Sequence, residues 1–182
     1  MDSNYPWYET VNSNSLEQGD IFRNYPVFSP EVTIEHIEVI AAGGEPTADV
    51  KVDTVDVIVL SQSCDLINRK VETVILCPLW ALEDIEHDLG KNQKERNKRK
   101  EDIRQGKEPG WHMLSSDENV AQPISIVEFK RLYTTPKTVL SNFASAAGDR
   151  IRLMPPYREH LSQAFARYFM RVGLPNDIPS FK

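Results

Sequence analysis

Ser61, Gln62, Ser63, Cys64 and Asp65 place a hydroxyl, an amide, a second hydroxyl, a thiol and a carboxylate on five consecutive residues. Two chemistries suit that set. A thiol flanked by a hydroxyl and a carboxylate can act as a nucleophile if a histidine from elsewhere takes its proton. The neighbouring carboxylate works against a thiolate, however. The competing reading packs Cys64 as a small apolar side chain and lets Asp65 cap the following turn. The other chemistry is recognition, since Ser61, Gln62 and Asp65 offer donors and acceptors to a polar ligand or a nucleobase edge. Asp65 also has a structural use as the partner of an arginine such as Arg158, because a carboxylate beside a core strand needs a cation.

A second candidate is a run of cations. Eight basic residues stand between Lys91 and Lys107, among them Lys94, Arg96, Lys98, Arg99, Lys100 and Arg104. Against a phosphate backbone they would give salt-dependent, sequence-independent affinity for RNA or DNA. Glu95, Glu101 and Asp102 interrupt the run, and it holds no aromatic to stack a base. A solvated, mobile helical insertion is the alternative. His36, His87, His112 and His160 fall at no metal-binding spacing, and Cys64 and Cys77 form no CxxC pair. No metal and no other cofactor is expected. His160 is read either as orienting a catalytic group or as a hydrogen-bonded structural residue.

The elements that position these groups follow from the apolar pattern. Val55 to Leu60 and Thr73 to Leu76 are short and β-branched, so they read as buried strands, the first delivering Ser61 at its exit. Val32 to Ile40 alternates imperfectly and predicts a half-buried strand, with a loop over 41–46 after it. Residues 1–16 read as an irregular lead-in whose Tyr5, Trp7 and Tyr8 are available to a dimer. Leu79 to Ile85 predicts the start of a helix with acids in its first turns, continued by a polar helix until Gly106 and Pro109-Gly110 stop it. Trp111 to Leu114 and Ile124 to Phe129 are further strands, the second of ambiguous register. Pro155-Pro156 opens a C-terminal helix with an apolar stripe of Leu161, Ala164, Phe165, Tyr168, Phe169 and Val172; Arg167 and Arg171 lie near its end, and Gly173 and Pro175 stop it.

With 182 residues, 40% of them hydrophobic and 26% charged, the chain fits one globular domain. No apolar run approaches the roughly 20 residues that span a bilayer, and Met1 to Tyr5 does not read as a signal peptide. With only two cysteines, a reduced, cytoplasmic protein without membrane association is expected. Charge is split: residues 1–88 hold 17 acids against 4 bases, a net −13, and residues 89–182 hold 10 acids against 17 bases, a net +7. Such a chain either offsets its halves within one domain or presents a basic face to a polyanion.

Four segments, Gly19-Asp20-Ile21, Val57 to Ser61, Val74 to Leu79 and Ile126 to Leu132, resemble in type and order the strands of the MazF/PemK (and CcdB-like) toxin superfamily. The resemblance implies a small SH3-like β-barrel over 16–140; with the charged helical insertion at about 80–108 and the C-terminal amphipathic helix over 155–174 read from the residues, an α+β protein is expected. The resemblance also implies a homodimer, a partner protein of a bacterial defence or toxin–antitoxin system, and RNA or DNA as a ligand. MazF-type ribonucleases carry a Thr after the cysteine-proline element, where this chain has Trp80, and a Gly- and Arg-rich loop that residues 24–30 do not reproduce. Arg23, with Ser61, is the candidate for a rearranged ribonuclease site. The chain is also similar to a family of bacterial proteins with an SQxCD element and a C-terminal helix of the type Pro156 to Arg167. The leading expectation is a binding module, and the alternative a metal-independent endoribonuclease. A small-ligand sensor built on the Ser61–Asp65 cluster is a third reading.

Overall fold

The short apolar runs become strands of one antiparallel sheet, and the longer amphipathic segments become helices against its faces. The computed structural model describes residues 5–170. In chain order the elements are β1 (Tyr8–Val11), β2 (Asp20–Pro30), α1 (Ile34–Ala41), β3 (Val50–Val59), α2 (Ser63–Ile67), β4 (Thr73–Ala81), α3 (Leu82–Ile85) and α4 (Gln93–Arg104). They continue with β5 (Trp111–Leu114), β6 (Ser125–Glu128), β7 (Tyr133–Pro136), α5 (Lys137–Ala147), β8 (Arg150–Leu153) and α6 (Tyr157–Phe169). The mixed α+β class is as expected. Among these residues no helix is long and apolar enough to cross a membrane.

The strand order is β1-β8-β2-β3-β4-β6-β5, with β7 paired to β4 off that path. β4 is long enough to serve two partners, Thr73–Leu76 pairing with β7 and Leu79–Ala81 with β6. No ladder joins β1 to β5 among the described residues, so the sheet is open. The Tyr8 hydroxyl nevertheless donates to the Ser115 carbonyl at 2.6 Å, just beyond β5.

Both faces of the central strands are covered, which is why Val57 to Leu60 reads as one continuous apolar run. Ile58, Leu60, Cys77 and Phe129 pack beneath Leu161 of α6, while Val57, Val59, Leu76 and Leu66 pack against Leu140 of α5. Fully burying Leu161 contributes about 1.5–3 kcal/mol gross. The same two-sided burial explains the ambiguous register of β6, where Ile126 and Val127 are both fully buried on opposite faces.

Several elements differ from expectation. Residues 34–41 form a helix, not a strand: Ile34, Ile37 and Ile40 recur at helical spacing, and the Thr33 N–H donates to His36 Nδ1 at 3.1 Å to fix the first turn. The helix expected from Leu79 begins only at Leu82, because β6 holds Leu79–Ala81 in the sheet. The insertion is no mobile helix, since Leu89 and Ile103 are buried against Ile126 in a core of their own. The lead-in contains β1, which buries Tyr8, and Trp7 stacks on Tyr157 with centroids 3.6 Å apart, leaving Tyr5 exposed. Phe169 is exposed and so does not belong to the packed stripe of α6. Arg171, Val172, Gly173 and Pro175, with the end expected for that helix, lie outside the described residues.

Candidate functional site

β3 ends at Val59 and the chain turns at once into α2. That turn is pinned from both sides. The Ser61 hydroxyl oxygen accepts the Ile75 N–H at 2.9 Å, and the buried Leu66 anchors α2 in the core. Ser63 Oγ accepts the N–H of Gln18 at 3.1 Å. Gln18, almost fully buried, ties three segments together. Its Nε2 donates to the Leu60 carbonyl at 2.8 Å, and its Oε1 accepts from the Ser162 hydroxyl of α6 at 2.8 Å. Gln62 Nε2 in turn donates to Ser162 Oγ at 3.3 Å.

Three of the five residues, Gln62, Ser63 and Cys64, line a cleft of about 330 Å³ together with Gln18 and with Arg158, Glu159 and Gln163 of the C-terminal helix; Ser61 and Asp65 do not line it. That volume is at the lower end of small-molecule sites. The sequence separation between its walls, about a hundred residues, hid the juxtaposition from any local pattern.

A charged network supports this cleft. Asp20, with no exposure, receives Arg152 Nε at 2.5 Å and Arg152 Nη2 at 3.2 Å, and pairs with Arg150 Nη2 at 3.1 Å. Glu17 bridges outward, from Arg152 Nη1 at 2.7 Å to Arg158 Nη1 at 3.1 Å. Burial pulls Arg152 down, but Asp20 and Glu17 outweigh it and hold the guanidinium above its ordinary pKa. Arg150 lies over the Phe22 ring at 5.5 Å and donates to the Ser13 and Ser15 carbonyls, while its buried Nε has no hydrogen-bond partner among the described residues. None of Glu17, Gln18, Asp20, Arg150 and Arg152 stood out as a site residue. The signal available was the charged alternation of Arg150-Ile151-Arg152-Leu153 inside an otherwise strand-like segment.

Asp65 pairs with Lys70 at 3.8 Å, its side chain about a third exposed, and the thiol of Cys64 lies 3.6 Å from its Oδ1. The arginine partner expected for Asp65 is therefore a lysine five residues away, and Arg158 serves Glu17. Cys64 is exposed, which removes the small-apolar packing reading; the buried thiol is Cys77, which burial pushes up to about 12. His160 lines a different cleft from Cys64, between α6 and the end of the insertion, with its ring edge-on to Tyr157.

Arg23 is elsewhere. Its Nη1 meets Asp56 Oδ2 at 2.6 Å and its Nη2 donates to Gln122 Oε1 at 2.5 Å. Asp56 lies within β3, whereas Ser61 lies in the turn beyond its end, bonded to Ile75. Arg23 and Ser61 are not brought together.

In α4 and its flanks most cations are committed locally. Arg99 meets Glu108 at 2.9 Å and stands over the Trp111 ring, Lys100 pairs with Glu86 at 2.8 Å, Arg104 with Glu101 at 2.6 Å, and Arg96 Nε donates to the Gly90 carbonyl at 3.0 Å. The Lys94 and Lys98 side chains make no hydrogen bond or ion pair among the described residues. No group of three or more His, Cys, Asp or Glu there is placed to hold a metal ion. No protein-family model matches this chain, and no curated protein matches it.

Proposed function

We propose that the chain is a binding module of a bacterial defence or toxin–antitoxin-like system, without MazF-type catalysis, acting on a partner protein or nucleic acid. The biological setting rests on the resemblance of four segments to MazF/PemK-type strands. Those segments stand at β2, β3, β4 and β6, consecutive neighbours in the sheet, which supports a small SH3-like barrel opened between β1 and β5.

One observation carries the choice of binding over cleavage: Arg23 and Ser61 each have their polar atoms committed to separate partners in separate places. A ribonuclease must stabilise charge developing at phosphorus and move protons at two oxygens, which needs converging groups. The cleft instead offers Gln62, Gln163, Arg158 and Glu159, a set suited to a ligand surface that carries donors and acceptors together. The exposed thiol of Cys64 makes no hydrogen bond to a histidine among the described residues and forms part of the cleft wall.

Purified protein incubated with mixed RNA in the presence of a chelator tests this reading. Intact RNA with both the wild type and Arg23→Ala is the expected result. Cleavage by the wild type that disappears in Arg23→Ala would overturn it in favour of the metal-independent ribonuclease.

A further inference from the structure

Tyr25, Val27 and Val55 still pack in the core, and beyond them the ends of β2 and β3, residues 28–30 and 50–54, leave the sheet as a two-stranded arm. Of β2, only Asp20 and Ile21 pair with β8, and of β3, only Val57–Val59 pair with β4, whereas the ladder between β2 and β3 continues out to Pro30 and Val50. An isolated hairpin is marginal in water, so an arm of this kind needs something to lie against. Phe28 faces Val52 in this ladder and Pro30 faces Val50, so these side chains share one face of the ribbon. Phe28, Val50 and Val52 are 62%, 53% and 55% exposed.

The arm is tipped by α1, whose Ile34, Ile37 and Ile40 form a stripe yet are 71%, 58% and 59% exposed; the helix buries no residue at all. Eight residues are too few to hold a helix by propensity. Scattered exposed apolar residues are ordinary, but a contiguous set on one projecting element marks an interaction surface.

Charge decides what it accepts. Residues 28–55 contain six acids and a single base, Lys51, which Asp53 already pairs at 3.0 Å. A net −5 repels nucleic acid and anionic lipid, and it opposes a second arm laid on the first. An apolar ridge rimmed by Glu31, Glu35, Glu38 and Asp49 complements a polypeptide that brings apolar side chains flanked by lysine or arginine. We propose that this arm docks a basic amphipathic segment of a partner protein. The surface shares no residue with the cleft at Gln62–Cys64, so the two readings stand or fall separately.

The test uses the full chain and two labelled peptides of about five helical turns, one of leucine and lysine and one of leucine and glutamate, with the same apolar face. By fluorescence anisotropy the lysine peptide is expected to bind and the glutamate peptide not. The affinity should fall at least tenfold in Ile34→Gln/Ile37→Gln and weaken with added salt in the wild type. Both substituted side chains are exposed, so the melting temperature should be unchanged, and Phe28→Ser gives an independent second variant. No binding of the lysine peptide at low salt, equal binding of both peptides, or binding indifferent to both variants overturns the proposal. So does sedimentation showing a wild-type dimer that these variants convert to monomer, which would assign the arm to a second copy.

Discussion

Asp20 shows how a single side chain can matter more to this cleft than the residues that line it. It is fully buried, two arginines meet it, and Glu17 passes the contact on to Arg158 at the cleft rim. Removing one member of a buried ionic set leaves an uncompensated charge, at a cost of about 3–5 kcal/mol. Asp20→Asn is therefore expected to lower the urea-unfolding free energy by that amount. Converting Asp20 and both arginines together to apolar residues of similar size should cost much less. A second residue-scale prediction concerns His112, which stacks on Phe129 and faces His160 and Arg167. Burial first, then the neighbouring His160 and Arg167, pulls its pKa down to about 4. Between pH 6.5 and 4 the unfolded chain takes up a proton at this imidazole and the folded chain does not, so stability falls as pH falls. From that shift the loss by pH 5 is about 2 kcal/mol relative to pH 7.5. In His112→Gln this part of the dependence should vanish, as unfolding curves at the two pH values would reveal.

At the scale of elements, Gly19 fixes how the loop carrying Gln18 enters the sheet. Its φ is +86°, and a Cβ there would sit 2.9 Å from Cβ of Leu153 and 3.2 Å from that residue's carbonyl oxygen. Left-handed backbone costs a non-glycine residue about 1–2 kcal/mol and overpacking about 1–3 kcal/mol. Gly19→Ala should therefore destabilise by about 2–5 kcal/mol, read as a lower urea midpoint, and detach Gln18 from Ser63 and Ser162. How far such elements can be read from sequence depends on whether their pattern is local. β3, β5 and α6 were legible because β-branched runs and a helical stripe declare themselves within a few residues. α1 was misread because Val32, Ile34, Ile37, Val39 and Ile40 satisfy both periods in part. β1, β7, β8 and α5 were missed: the strands are four residues each and owe their form to distant partners, as Tyr8–Val11 does to Arg150–Leu153. The pentad at 61–65 was legible as polar chemistry at a strand exit. Its partners on Gln18 and α6 were not, because the contacts cross the fold.

For the molecule as a whole, the split of charge between the two halves of the chain is resolved by interleaving them. β1 and β2 of the acidic half lie beside β8 of the basic half, so Asp20 and Glu17 meet Arg150, Arg152 and Arg158, and Glu86 meets Lys100. Charges left without an ion pair among the described residues include most acids of the arm at 28–55 and a few cations of the 91–107 run. Lys91, Lys94 and Lys98 are the lysines there whose ammonium groups make no contact among the described residues. Counterion release scales with the cations that reach phosphates, at a slope of about −0.7 in log K against log salt for each one on a single strand. If all eight bases of that run engaged RNA, the slope would be about −6; with three it is about −2. Recruiting more would require Arg99 to leave Glu108 and the Trp111 ring, or Lys100 to leave Glu86. A filter-binding titration with single-stranded RNA should accordingly show weak retention and the shallow slope, and a triple Lys91→Gln/Lys94→Gln/Lys98→Gln variant should abolish what there is. A steep slope would mean that the ion pairs of the insertion open on RNA, and that the net −6 of the chain conceals a polyanion site after all.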